Sequence, residues 1–441
     1  MSASADNWIQ KDIRDVLLPL ADGKILHQGW SPRCETEPSR KITDWAALKT
    51  TAIQDGWFDD SFNKRLPDTL TPRPDLEVRP GDILITCAGP RVRCGIACLV
   101  TKTRPRLMIS GKMYRFRANE SEVTPEFLLA YLRSPEGQAA IDRIKTGGSE
   151  SGLNLTHDRF FQLRVPVAPL DEQRRIAVKL ASLSQFSKNA REELAGIRRL
   201  VERYKQAVLA AVMETDETGQ AWPRVPLEEL LTEGPTNGYS PRSGENPRGT
   251  LSLKLTATTR GVLDLSERAV KRLNEVVPKD SKFWLRSGDI LIQRANSLEY
   301  VGMTAIYEGP PHQYIYPDLM IRIRVASPAM ARWIWRYCSS ASGRRYFTSN
   351  ATGTAGNMPK INGSTVRKMQ IPMPPNDRLD ALIGRVDRAL NAIDALQEEA
   401  ARAQKLLDRL DQATLAKAFR GELVLPQPLV EARPSRMGRR R

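Results

Sequence analysis

Three histidines, His27, His157 and His312, stand far apart in a chain of 441 residues. None lies in a serine or cysteine motif, so a nucleophile and base pair has no local signature. A nuclease of the Pro-Asp type needs a second acid and a lysine just downstream, and Pro317-Asp318 is followed by Leu319-Met320-Ile321-Arg322. An amino-methyltransferase needs a glycine-rich loop after a strand for its methyl donor, and Asn or Asp before Pro-Pro and an aromatic to hold an extruded base. The closest string, Met373-Pro374-Pro375-Asn376, places its prolines at the entry to a helical pattern, where proline's fixed φ is sufficient explanation. The cysteines, Cys34, Cys87, Cys94, Cys98 and Cys338, lack the paired short spacings of a closed zinc site. Their odd number argues against a disulfide framework and for a reducing compartment. The chain reads as having no catalytic residues and no metal site.

Its cations point elsewhere. Lys plus Arg number 67 against 51 for Asp plus Glu, a formal charge of +16 with a pI near 9.8, and such a balance favours polyanions. The last nine residues, 433–441, hold five arginines, and the remaining surplus is spread through both halves. Nucleic acid asks for cations at its phosphates and for Arg, Lys, Asn or Gln at its base edges, best carried on loops between strands. Candidates in the first half are Lys49, Thr51, Arg91, Arg93, Lys102, Arg104, Arg106, Lys145 and Asn154. Those in the second half are Lys254, Thr256, Arg294, Asn296, Arg344, Arg345, Asn350, Asn357 and Lys360. The glycine-rich loops 147–152 and 352–357 read first as flexible turns whose amides are open to phosphate.

These residues fall at matching places because the chain repeats itself. Gly81-Asp82-Ile83-Leu84-Ile85 recurs as Gly288-Asp289-Ile290-Leu291-Ile292, 207 positions on. In the same phase Gly95 answers to Gly302, and Met113-Tyr114-Arg115-Phe116-Arg117 to Met320-Ile321-Arg322-Ile323-Arg324. Upstream, with small shifts, Gly29-Trp30-Ser31-Pro32-Arg33 matches Gly238-Tyr239-Ser240-Pro241-Arg242, and Leu48-Lys49-Thr50-Thr51-Ala52 matches Leu253-Lys254-Leu255-Thr256-Ala257. So long a period exceeds that of a solenoid and marks a duplicated domain, as the chain length also suggests.

Each half reads as mixed α/β. Strands are expected near 82–86, 95–101, 290–293 and 302–307, with short helices near 125–132 and 330–337. The tryptophans of Asn7-Trp8-Ile9 and Ala221-Trp222-Pro223 are expected to anchor the first strands. Each half ends in proline-marked residues, Val165 to Pro169 and Ile371 to Pro375, before a long helical pattern. The first runs from Asp171 to about Met213, with Gly196 as its one interruption, and carries Ile176, Leu180, Leu194, Ile197, Val201 and Tyr204 on one face. The second runs from Asp377 to about Phe419 and carries Leu382, Val386, Leu390, Ile393, Leu407 and Leu410. Spacings of three, four and seven make both amphipathic. At about 1.5 Å per residue each would extend some 60 Å, more than one small domain can bury. An antiparallel pair of the two, acting as a spacer, is the economical expectation, with room left for a partner's helices.

The expected boundaries are a first domain at 1–170, a helix at 171–215, a second domain at 216–375, a helix at 376–423 and a basic tail at 424–441. No apolar run approaches the roughly 18 residues needed to cross a bilayer, and the amino terminus lacks a signal pattern, so a cytoplasmic protein is expected.

This organisation resembles the specificity subunits of type I restriction-modification systems. The resemblance also lies in Pro166-Val167-Ala168-Pro169-Leu170-Asp171-Glu172-Gln173-Arg174-Arg175-Ile176 opening the first helix, in Ala418-Phe419-Arg420-Gly421-Glu422-Leu423 closing the second, and in the Gly-Asp-Ile-Leu-Ile strands. It covers about 8–423. One departure stands at the second helix, which begins Asp377-Arg378-Leu379 and lacks the Glu-Gln pair. The resemblance implies two similar α/β target-recognition domains in approximate two-fold relation, separated by two long antiparallel helices in a coiled coil. It implies a non-catalytic subunit reading one half of a bipartite, asymmetric duplex site with each domain. The helices would set the gap and dock two adenine methyltransferase subunits, with motor-nuclease subunits joining. S-adenosylmethionine, and ATP and magnesium for restriction, would sit on those partners. A helical scaffold for acidic proteins and an RNA-binding module are the alternatives, the latter disfavoured by an aromatic content of 6%, low for a base-stacking platform.

Overall fold

The structure, a computed structural model, describes residues 8–244, 246–259, 261–353 and 358–424. Candidate Asn357 and most of the 352–357 loop therefore lie outside the described residues, as does the basic tail beyond residue 424. The chain divides into two compact units, 1–193 with 403–441, and 194–402.

Each unit is organised by the repeated Gly-Asp-Ile-Leu-Ile strand. In the first, Ile83–Thr86 lies between Met113–Phe116 and Ala97–Leu99, with His27–Gln28 beyond Met113–Phe116. In the second, Asp289–Gln293 lies between Met320–Val325 and Thr304–Tyr307, with Leu231–Asn237 outermost. All these pairings are antiparallel. The central strands alternate apolar side chains between two separate cores, as period-two geometry requires. Ile83 and Ile85 enter a core built with helices, while Leu84 enters one closed by a smaller sheet. Ile290, Ile292 and Leu291 divide in the same way in the second unit.

The smaller sheet of the first unit joins Asn63–Arg65, Ala46–Leu48 and Leu107–Met108. Its counterpart pairs Leu251–Leu253 with Val270–Arg272. Two helices cover the other face in each unit, Pro125–Arg133 with Pro135–Ile144, and Pro328–Ser339 with Ala341–Ser349. The second helix of each pair was not expected from the sequence. Ser134 and Ser340 start these helices by accepting from the amides of Gly137 and Gly343, the usual service of a serine N-cap.

The arginines of the two Met-x-Arg-x-Arg strands are engaged within the protein. Arg115 and Arg322 are buried, and their guanidinium groups donate to backbone carbonyls, Arg115 to Asp75 and Glu77, Arg322 to Lys282. Arg117 Nε donates to Asp82 Oδ1 at 2.7 Å, and Arg324 Nε to Asp289 Oδ1 at 2.5 Å. The aspartate of each Gly-Asp-Ile-Leu-Ile run is thus an internal counterion, and it also accepts from the amide three residues before it.

The long helices span Leu170–Met213 and Leu379–Phe419, the second entered through a 3-10 turn at Asn376–Arg378. The first continues unbroken through Gly196. Their pairing is antiparallel within each unit. Ser187 Oγ donates to Asp411 and Arg191 to Asp408 and Asp411 in the first, and Lys205 bonds Asp394 in the second.

Gly288 and Gly302 both adopt positive φ, +89° and +74°. A Cβ on Gly288 would meet nothing, whereas one on Gly302 would lie 2.3 Å from Phe347 Cβ. Gly288→Ala should lower stability by about 1–2 kcal/mol of backbone strain alone, and Gly302→Ala by clearly more. Urea unfolding of the two variants, followed by tryptophan fluorescence, checks the ranking.

Candidate nucleic-acid interface

The candidate residues gather around three loops that each unit builds in the same way. In the first unit the 3-10 turn Thr50–Ala52 follows Lys49, and Arg93 reaches into it, donating from Nη2 to the carbonyls of Thr50 at 2.6 Å and Ile53 at 2.8 Å. The loop carrying Arg91 and Arg93 is tied in turn to the loop after Pro135–Ile144. Arg91 pairs with Glu150 at 2.7 Å, Lys145 Nζ donates to the Arg91 carbonyl at 3.1 Å, and Leu153–Asn154 pairs with Ala88–Gly89. Lys49, Thr51, Arg91, Arg93, Lys145 and Asn154 are thereby brought together. The Arg91 partner lowers the Glu150 pKa below the ordinary carboxylate range.

The second unit repeats the arrangement with different side chains. The 3-10 turn Leu255–Thr258 follows Lys254. Gln293, fully buried, donates from Nε2 to the Leu255 carbonyl at 3.2 Å and the Thr258 hydroxyl at 2.9 Å, and its Oε1 accepts from Asn296 Nδ2 at 2.7 Å. Ala295 bridges Lys360, and the Ile361 amide donates to the Arg294 carbonyl. Lys254, Thr256, Arg294, Asn296 and Lys360 come together here. Gln293 was not singled out from the sequence; its position directly after the apolar run Ile290-Leu291-Ile292, where the first copy has Thr86, is the signal that could have found it.

Several candidates are committed to the protein itself. Arg104 donates to the carbonyls of Asp44 and Ser39, and Arg106 to that of Thr43, so both lie beside residues 39–44. Burial holds the Arg104 pKa below that of a free guanidinium. Arg344 donates to Val301 and Glu299, both at 2.8 Å, and is lowered by burial likewise. Lys145 is deeply buried against Asp142, and Asn350 bonds back to Tyr346. Among the described residues, the side chains of Lys49, Thr51, Lys102, Asn154, Thr256, Arg294, Arg345 and Lys360 make no hydrogen bond or ion pair, which leaves them available to an outside ligand. A guanidinium held on two backbone carbonyls has fewer donors for a phosphate or a base edge.

The helical stripe is divided between inside and outside. Ile176 and Leu180 join the first unit's core, and Leu382, Val386 and Leu390 the second's; Val201 and Ile393 are also buried. Six of these are buried and Leu180 is half-buried, which uses this part of the stripe within the protein, on the helix's own domain near the ends. Leu194 and Leu407 are half-buried and Ile197 is partly open, while Tyr204 at 66% and Leu410 at 57% exposure face outward, joined by Phe186, Leu200, Leu396 and Leu406.

The three buried cysteines Cys87, Cys94 and Cys98 are thiols whose pKa values burial raises, to about 12 for Cys87 and Cys98. Among the described residues no cluster of His, Cys, Asp or Glu could hold a metal, and no helix is long and apolar enough to cross a membrane.

No family model matches the chain. Among curated proteins it is similar to the type I restriction enzyme EcoKI specificity subunit of Escherichia coli strain K12, 26% identical over 424 residues, covering 92% of this chain and 89% of that one. The StySPI specificity subunit of Salmonella potsdam is 24% identical over 391 residues, 85% and 82% of the two chains. The EcoEI specificity subunit of Escherichia coli is 36% identical over 163 residues, a stretch covering 37% of this chain and 27% of that protein. Two solved structures share the fold. One is a chain from work on the complex assembly and conformational transition of the type I R-M system, with a TM-score of 0.69, 22% identity, and 94% and 98% of the chains covered. The other is the HsdS subunit from Thermoanaerobacter tengcongensis, with a TM-score of 0.50, 21% identity, and 94% and 97% covered.

Arg344 and its neighbour Arg345 separate the two kinds of cation. Arg344→Ala removes the bonds of a largely buried guanidinium to the Val301 and Glu299 carbonyls and should lower stability by about 1–3 kcal/mol. Arg345→Ala, at an exposed and unbonded position, should change it by no more than about 0.5 kcal/mol. Thermal unfolding of both variants tests the assignment.

Proposed function

This chain is a homologue of type I restriction enzyme specificity subunits along most of its length, and from that premise we propose that it is the non-catalytic DNA-recognition subunit of such a system. In this reading each unit contacts one part of a bipartite, asymmetric duplex site, and the complex forms in the cytoplasm. The observation that carries it is the three-loop cluster, built twice on one backbone plan: its turn shows the same Lys and Thr in both copies, Lys49 and Thr51, Lys254 and Thr256, while the flanking loops differ, with Asn154 in the first copy where the second has Lys360, and Arg294 only in the second. A scaffold and turn held constant while the side chains of the flanking loops differ is what two half-sites of different sequence require. The surplus of positive charge supports a phosphate component whose strength falls with salt.

Two methyltransferase subunits are the partners this reading needs, with motor-nuclease subunits joining for restriction. The exposed apolar residues of the long helices, Phe186, Leu406 and Leu410 in one unit and Leu200, Tyr204 and Leu396 in the other, support docking along them, because apolar side chains left open on a helix mark interaction surfaces. The methyl donor, and the nucleotide and magnesium used in restriction, belong to those partners. They place the chemistry outside this chain, which supplies position and sequence.

The deciding experiment is selection of duplexes from a random library at moderate salt by this chain co-expressed with its methyltransferase subunit. A gapped two-part motif is the expected result; a stable complex that enriches no motif would move the assignment to a helical scaffold.

Two further outcomes follow from the geometry. Arg294→Ala should weaken binding to the selected duplex by about tenfold or more, in line with about 1–3 kcal/mol for a base contact, and weaken random duplex much less. Equal loss on both, by fluorescence anisotropy, would reduce Arg294 to a phosphate contact. Removing seven residues, about two turns, from both long helices should shorten the preferred gap by about three base pairs, since about 10 Å of helix corresponds to that much duplex. An unchanged gap in the same selection would show that the helices are not the ruler.

A further inference from the structure

The 3-10 turns Thr50–Ala52 and Leu255–Thr258 occupy the same place in the two copies, and each is held by a polar side chain from outside. The Thr50 carbonyl and the Leu255 carbonyl are equivalent under the local shift of the repeat, and both accept a bond: one from Arg93, the other from Gln293. The second bond of each clamp falls three residues on, at the Ile53 carbonyl and the Thr258 hydroxyl. The two holders are not equivalent to each other. Arg93 lies in the loop seven residues beyond Thr86, and Thr86 is the counterpart of Gln293. Thr86 is occupied elsewhere, its hydroxyl bonding the Arg93 and Ile96 carbonyls. The same turn is thus fixed by two unrelated side chains.

The turns stay in register beyond the clamp. The Asp59 amide donates to Ala52 at 3.0 Å and the Asp264 amide to Ala257 at 2.8 Å, so the backbone presenting Lys49 and Thr51 is superposable in plan on that presenting Lys254 and Thr256. In the second unit the clamp reaches further. Gln293 also receives Asn296, whose own amide donates to the Pro359 carbonyl, joining the turn to the loops of Arg294 and Lys360.

Resting on the DNA-recognition reading, we infer that Arg93 and Gln293 are positioning residues for base selection, each fixing the presenting turn of its own unit without touching DNA. Arg93 then leaves the set of phosphate contacts, since its Nη2 is directed at two carbonyls. A backbone displacement of about 1 Å is enough to misalign a bidentate base contact, whereas a flexible lysine still finds a phosphate. Loss of a clamp therefore relaxes sequence preference and leaves the electrostatic part of binding in place.

The test uses the complex of the full chain with its methyltransferase subunit, in the same duplex selection and in a salt titration. Arg93→Met should flatten the base preference in one part of the motif, lower the ratio of selected to random binding by at least tenfold, and leave the other part and the salt slope unchanged. Gln293→Leu should do the same to the other part. Arg93→Lys, which keeps a donor for the two carbonyls, should recover most of the preference, a rescue that loss of folding would not allow. The untouched half of the motif reports that each variant is folded, and Gln293→Asn serves as the milder change at that site. A salt slope reduced by about one for Arg93→Met would make it a phosphate contact and overturn the inference, as would preferences lost equally in both parts or in neither. A wild-type complex that enriches no motif would remove the recognition reading and the inference with it.

Discussion

A helix of more than 40 residues with an apolar stripe cannot be buried by one small domain, and the architecture of each unit follows from that constraint. The first unit's core takes Ile176 from the start of one long helix and Ala418 and Phe419 from the end of the other. The second unit's core takes Leu209 and Met213 from an end, and Leu379, Leu382 and Val386 from a start. Each core is completed by both helices, so neither sheet is closed without them. Trp8 packs edge-on against Phe127 and Phe419, and Trp222 donates to the Val212 carbonyl, so each tryptophan joins the first strand of its unit to a helix end.

The helix starts are fastened by different chemistry. Gln173 is fully buried and bonds three backbone groups at once: its Oε1 accepts from Thr124, and its Nε2 donates to Glu122 and Ala168. Trp8 Nε1 adds a bond to Glu172. The Glu-Gln pair that drew attention in the sequence is therefore a structural staple between the helix and its domain. At the second helix, where that pair is absent, Arg378 bonds Glu217 and lies over the Trp222 ring at 5.6 Å. In register, the departure from the repeat replaces the buried amide of Gln173 with the buried Leu379 and Glu172 with the more open cation Arg378, and the helix still begins at the equivalent place.

The duplication and the central strands were legible because Gly-Asp-Ile-Leu-Ile recurs 207 positions on, and both long helices because apolar residues recur every three to four positions, as in Ile176 to Val201. What was not legible was direction. Arg115, Arg322 and Arg344 are cations that turn inward to backbone carbonyls, and no linear pattern distinguishes them from Arg294 or Arg345, which do not. The helices Pro135–Ile144 and Ala341–Ser349 were missed for a related reason. Their signal is a serine cap three residues before a glycine that must lie against the preceding turn, where a Cβ would fall about 2 Å from the carbonyls of Tyr131 and Tyr337. That requirement is written in space and shows in sequence only when the two copies are aligned.

The two copies then separate what a domain must keep from what it can change. Asp82 and Asp289, Gly95 and Gly302, and Ser134 and Ser340 recur because each satisfies a buried group or a close approach that has one solution. The clamp on the presenting turn recurs as a function and not as a residue, an arginine in one unit and a glutamine in the other. Were the turn merely a loop of convenience, nothing would oppose its drift once its holder changed. That the same carbonyl is held by unrelated donors, on a turn that displays a lysine and a threonine in both copies, implies that the position of the turn is the maintained quantity and that its holder is the part left free to vary.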